Sequence, residues 1–170
     1  MRFVVYLLFT IFYHSAANSN TWCTFKTSTS SNEVEYTEQK AIKVSDIDEH
    51  FIRIFKTETN HKDSKKNCEG LKILKTEFFG MSDYIKKSGK VSGYSIATYD
   101  DNSKIFSFLE GVSHTPEDQN LNGVVTLSIK ITGGSGIYKG IVGYGKGKTE
   151  FNPETGYSAG ETETYYLIRN

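Results

Sequence analysis

The chain has 170 residues, with 20 basic and 20 acidic side chains, 37% hydrophobic residues and two cysteines. Balanced charge without a basic face argues against a nucleic-acid binder. The length suits one domain with a core of its own.

Residues 1–17, MRFVVYLLFTIFYHSAA, place Arg2 before an apolar run from Phe3 to Phe12 and close on the small residues Ser15, Ala16 and Ala17. That order of charge, apolar stretch and small residues predicts a secretory signal peptide. Its apolar core falls short of the roughly 20 residues that span a bilayer, so residues 18–170 are expected as one secreted or periplasmic domain without a membrane span. Cys23 follows Asn20-Thr21-Trp22, which is no lipid-attachment pattern. Export permits Cys23 and Cys68 to form one disulfide. A bridge would close roughly 45 residues and contribute about 2 to 4 kcal/mol in the chain-entropy picture; two buried free thiols are the other reading. A metal pair would need further ligands, and His50 and His61 stand at no recognised spacing, so no metal site is expected.

Through the rest of the chain, short β-rich runs alternate with polar turns. Strands are expected over 22–27, 34–44, 50–59, 71–79, 90–99, 104–112, 124–131, 137–149 and 161–168. The clearest is the run after Gly123, where Val125, Leu127, Ile129 and Ile131 share one face while Thr126, Ser128 and Lys130 share the other, the period of a half-buried strand. Ser82 to Lys87 is the one stretch expected to make a helical turn, with Ser82 as its cap. Asp100-Asp101-Asn102, Asn122-Gly123, Gly133 to Gly136 and Asn152 to Gly156 read as hairpin connections, so the sheet is expected to be antiparallel.

Seven of the fifteen residues from Gly133 to Gly147 are glycine, with apolar and aromatic residues between them. Glycine within a strand marks a bulge, a sharp bend or a close backbone approach, and closing a sheet into a barrel uses those devices. Neither phosphate-binding motif fits. Gly134 to Gly140 has one residue too many for the dinucleotide fingerprint, Val142 stands where the phosphate loop needs glycine, and no helix opens after Gly147. The expected fold is all-β, an eight-stranded antiparallel barrel with little or no helix.

The segment Asp100 to Gly111, followed by Gly133-Gly134-Ser135-Gly136-Ile137-Tyr138-Lys139-Gly140-Ile141-Val142-Gly143-Tyr144-Gly145, resembles the allene oxide cyclase and dirigent barrel superfamily. Its signature GGTGKYxGxxGxG is met except at two positions, Ser135 in place of threonine and Ile137 in place of lysine. The resemblance covers the C-terminal half; the N-terminal half matches in strand character alone. It implies a small eight-stranded barrel, often oligomeric, with an apolar cavity and no cofactor. The residues with which plant members act on substrate do not transfer.

No nucleophile elbow or catalytic cysteine context is present. Phe106, Phe108 and Glu110 share a strand face, where a partly desolvated Glu110 could donate a proton; the other reading is an exposed glutamate at a rim. Arg53, between Phe51 and Phe55 on one face, could hold an anionic ligand group or pair with Glu110, or lay its stem outward over apolar surface. Tyr99, Phe106, Phe108, Tyr138 and Tyr144 are expected to face a cavity, although an eight-stranded barrel can also be filled by its own side chains. Three functions follow: binding of a small apolar or aromatic molecule, cofactor-free steering of a reactive intermediate, and interaction through the outer surface.

Overall fold

The computed structural model describes residues 21–118, 120–152 and 154–169; the expected signal peptide lies outside them. Nine strands form one antiparallel sheet: β1 (Cys23–Ser30), β2 (Val34–Lys43), β3 (His50–Asn60), β4 (Ile73–Ile85), β5 (Ser88–Tyr99), β6 (Lys104–His114), β7 (Gly123–Ser135), β8 (Ile141–Asn152) and β9 (Tyr157–Ile168). Their order is β1-β9-β8-β7-β6-β5-β4-β3-β2, a meander from β2 to β9 with β1 laid beside β9. Each predicted run corresponds to one strand. The sheet has nine strands rather than the eight of the expected barrel, all nine runs forming strands, with a 3-10 turn, Ser31–Glu33, between β1 and β2.

The sheet is open, since β1 and β2 occupy its two edges and no ladder joins them among the described residues. It is nevertheless strongly curled. Laid flat, the two edges would stand eight strand spacings apart, about 38 Å at ~4.8 Å each. The link from Ser30 to Val34 spans no more than about 14 Å. Curling therefore brings the edges together where the link crosses, and gives the sheet an inner and an outer face.

Two turn expectations are corrected. Ser82 does not cap a helical turn: it lies within β4, and Lys86 and Lys87, with φ of 48° and 63°, form the hairpin to β5. Two left-handed residues match the twist of paired strands, and the tightness of the connection outweighed the capping signal. Gly133 to Gly136 is not a simple turn either. β7 runs through Ser135, the 3-10 turn Gly136–Tyr138 follows, and β8 starts at Ile141, four residues later than expected.

Register assigns the faces, because partners across antiparallel strands point the same way. Inner positions include Cys23 and Phe25 on β1, Tyr166 on β9, Ile141 and Gly143 on β8, Ile129 and Ile131 on β7, and Ile105 and Ser107 on β6. The face predicted for β7 is thus the inner one, and Ile129 and Ile131 are buried. Gly143 is required there: a Cβ would collide with the Tyr165 carbonyl oxygen and stand 2.9 Å from Ile131 Cδ1.

The densest core lies at one end, around Tyr99, Tyr138 and Tyr166, which are 2%, 0% and 1% exposed. Their rings meet at centroid distances of 4.6 Å (Tyr99–Tyr138) and 6.5 Å (Tyr138–Tyr166). The connection from β3 to β4 covers this end. In it, Asn67 Nδ2 donates to the Tyr138 hydroxyl at 2.6 Å, Asn67 Oδ1 accepts from Leu71 N at 2.9 Å, and the Tyr166 hydroxyl donates to Glu69 Oε2 at 2.5 Å. Cys23 and Cys68 are joined by a disulfide with a Cα–Cα distance of 6.1 Å, which fastens the connection to β1.

Candidate functional site

The five aromatic residues expected to line a cavity separate into two groups. Tyr99 and Tyr138 face inward but are packed against each other in the core. Phe106, Phe108 and Tyr144 lie on the outer face, with Tyr144 58% exposed. The inner residues of β6 are Ile105, Ser107, Leu109, Gly111 and Ser113, which corrects the expectation that its aromatic side turns inward. The pairing register with β5 and β7 decides the face: Ile105, Ser107 and Leu109 share it with Ile131, Ile129 and Ala97, which leaves Phe106 and Phe108 on the other. Glu110 goes outward with Phe108 and is exposed. It cannot pair with Arg53, which lies on the opposite face.

Arg53 sits opposite Ser82 in the β3–β4 ladder. Its guanidinium carbon lies 4.9 Å from the centroid of the Phe55 ring and 5.6 Å from that of Tyr36. Phe55 is buried and packs on Phe78 at 5.8 Å. Gly80 makes room for it, since a Cβ there would stand 2.5 Å from the Phe55 ring. Tyr36 lies on β2, an edge strand exposed over nearly its whole length, and is itself 51% exposed. The guanidinium thus rests on an aromatic shelf that opens to solvent on the β2 side.

Among the described residues Arg53 has neither a hydrogen bond nor an acidic partner. A stacked guanidinium keeps its donors free in the ring plane. Ser82 beside it is 1% exposed, and its hydroxyl oxygen has no hydrogen-bond partner among the described residues, an arrangement that costs free energy when nothing answers it. Tyr84 lies next on the same inner face of β4. Burial pushes its phenol up, while the nearby Arg53 charge pulls it down. A free cation, an orphan hydroxyl and three aromatic rings can together receive a flat anionic group.

A second concavity lies at the open seam. A cleft of about 730 Å³ runs between β1 and the start of the β3–β4 connection, lined by Thr27, Ser28, His61, Ser64, Lys146 and Thr162 among others. None of its lining residues is Phe, Tyr or Trp, and of them the sequence singles out His61 alone as a site candidate, a metal ligand without a recognised spacing. His61 Nε2 lies 2.9 Å from Thr76 Oγ1, and burial lowers the pKa of its imidazole. Part of the charge at the rim is paired: Glu163 lies 3.0 Å from Lys26 and 3.1 Å from Lys146. Hydrogen bonds from Lys26, Tyr165 and Lys146 hold its carboxyl down to about 2.

Another ionisable cluster is a clamp at the far end of the sheet. His50 Nδ1 lies 2.6 Å from Asp46 Oδ1 and its Nε2 2.7 Å from Asp83 Oδ1. Both contacts favour the imidazolium, so the pKa of His50 is raised, chiefly by Asp83 and then by Asp46. No group of three or more metal-ligating side chains occurs among the described residues, and no described helix is long and apolar enough to cross a membrane.

No protein-family model matches this chain, and no curated protein is significantly similar to it.

Proposed function

We propose that the protein is an exported binding module, its curled sheet acting as a barrel of the allene oxide cyclase and dirigent type, that takes a small aromatic or apolar molecule carrying a carboxylate or similar anion. The observation that carries this reading is Arg53, an unpaired guanidinium on the inner face between Phe55 and Tyr36. The anion meets the guanidinium, the flat body lies along Tyr36 and Phe55, and the Ser82 hydroxyl supplies one more hydrogen bond. The signal sequence and the cysteine pair support an exported site of action, and the glycine-rich segment from Gly133 to Gly145 supports the superfamily resemblance. Stereochemical steering would use this same shelf, but Glu110, its expected acid, points away on the outer face.

Calorimetric titration with cinnamate and with cinnamyl alcohol tests the proposal, since the pair shares a flat body and differs in charge. A hydrogen bond to a charged group contributes about 1.5 to 3 kcal/mol, so the acid should bind roughly 10- to 150-fold more tightly. Arg53→Met should abolish that preference with the fold intact. Equal affinities, or a preference that survives Arg53→Met, would refute it.

A further inference from the structure

A continuous apolar stripe crosses the outer face diagonally from the edge strand inward. Ile42 on β2 pairs with Ile52 on β3, Ile54 pairs with Met81 on β4, and Phe79 pairs with Tyr94 on β5. Ile52 and Ile54, like Met81 and Phe79, are two residues apart and share the face, so the run is continuous, with the Lys56 ammonium 5.4 Å from the Phe79 ring centroid at its flank. The exposures are 60% for Ile42, 38% for Ile52, 64% for Ile54, 49% for Met81, 44% for Phe79 and 61% for Tyr94. Beyond Tyr94 the stripe continues onto Phe108, whose ring lies 5.2 Å from that of Tyr94.

At ~200 Å² for a fully exposed large side chain, these six residues present roughly 600 Å² of apolar surface, the upper end of what a soluble monomer leaves bare. A standard interface removes about 800 Å² from each partner, with a polar rim around an apolar centre. The six residues and an ordinary rim reach that figure. The rim along β3 and β4 is neutralised within the chain: Lys56 lies 2.9 Å from Glu58 and 3.1 Å from Glu77, and Lys75 lies 3.4 Å from Glu58. It needs no charged partner, and a chain with equal numbers of acidic and basic residues does not repel its own copy.

We infer that this stripe is the interface of a two-fold symmetric homodimer, in which a second copy of the chain covers the same surface. Ile54 and Met81 lie at its centre. The inner-face site around Arg53 faces the other way and stays open in the dimer.

Sedimentation equilibrium on the protein purified after expression of the full chain, from 1 to 100 µM, should give twice the monomer mass. Ile54→Lys and, separately, Tyr94→Lys should weaken association at least 100-fold, each with the circular dichroism spectrum and melting temperature of a folded sheet. A wild-type protein that stays monomeric to 100 µM, or forms a trimer, would overturn the inference. So would a dimer that both folded variants retain. If a variant fails to fold, the wild-type mass and its protection of stripe residues from hydroxyl-radical labelling decide the matter; unprotected Met81 and Tyr94 in a dimer would count against it.

Discussion

Replacing Tyr138 by phenylalanine removes one oxygen atom from the most enclosed side chain of the core. The ring keeps its contacts with Tyr99 and Tyr166, so no cavity of consequence opens. What is lost is the acceptor for Asn67 Nδ2 at 2.6 Å and the hydroxyl's hydrogen bond with that of Tyr99. Asn67 is buried and its Oδ1 already serves the backbone N–H groups of Leu71 and Glu69 at 2.9 and 3.2 Å, so it cannot turn away to find water. Breaking this buried network, which leaves Asn67 with only the Tyr99 hydroxyl to turn to, costs about 1 to 3 kcal/mol. For a domain of this size that is a fall of roughly 2 to 12 °C in melting temperature, at 2 to 4 °C per kcal/mol. Asn67→Ala should cost more, since it also strips the turn that carries Cys68. Adding Tyr138→Phe to Asn67→Ala should then change little, leaving a coupling energy of about 1 kcal/mol or more in a double-mutant cycle read by urea denaturation. A Tyr138→Phe variant as stable as the parent, or a cycle with no coupling, would refute the account of how this end is closed. Burial, the largest cause, pushes the Tyr138 phenol up to about 12, so the ultraviolet band of ionised tyrosine should lag in alkaline titration until the fold opens.

Two further outcomes are expected. Reduction of Cys23–Cys68, which stand 45 positions apart, should destabilise the protein by about 4 kcal/mol in the chain-entropy model, measured as a lower urea midpoint in reducing buffer; an unchanged midpoint would mean that the tie does not constrain the unfolded chain. The His50 clamp makes stability pH-dependent with a defined sign. The raised pKa of His50 gives a contribution fully present below its ordinary value of 6.5 and lost as pH rises through the higher folded value, while the lowered pKa of Asp46 gives one present above 3.8 and lost as pH falls through its folded value. The clamp should therefore be strongest between about pH 4 and 6.5, and His50→Gln should flatten the melting-temperature profile above pH 6.5. A profile identical to the parent's would show that the clamp does not couple to folding.

The strands were legible from their alternation, as with Val125 to Ile131, because a period of two is set by backbone geometry and survives tertiary context. The disulfide was legible only as an option, since cysteine spacing does not bring two chain segments together. The faces of β6 were not legible. Phe106 and Phe108 carry the larger side chains, yet register turns Ile105, Ser107, Leu109 and Gly111 inward, and both faces of β6 hold large apolar residues, so the strand alone does not say which is which. The hairpin at Lys86 and Lys87 was hidden because neither is a usual left-handed residue. Arg53 was visible as a cation on an aromatic strand face. The shelf beneath it required knowing that β2 brings Tyr36 alongside and β4 brings Ser82 opposite. Of the seam cleft only His61 was legible, as an unmatched metal-ligand candidate, because the lining comes from segments far apart in the chain.

An inside and an outside exist only if the sheet curls until its edges approach. Nitroxide labels at Ser28 on β1 and Asn60 on β3, read by double electron–electron resonance, measure this across the seam. Curling predicts a distance below about 20 Å, whereas seven strand spacings in a flat sheet would give about 34 Å. A distribution centred beyond 30 Å would contradict the account and remove the interior on which the Arg53 site depends.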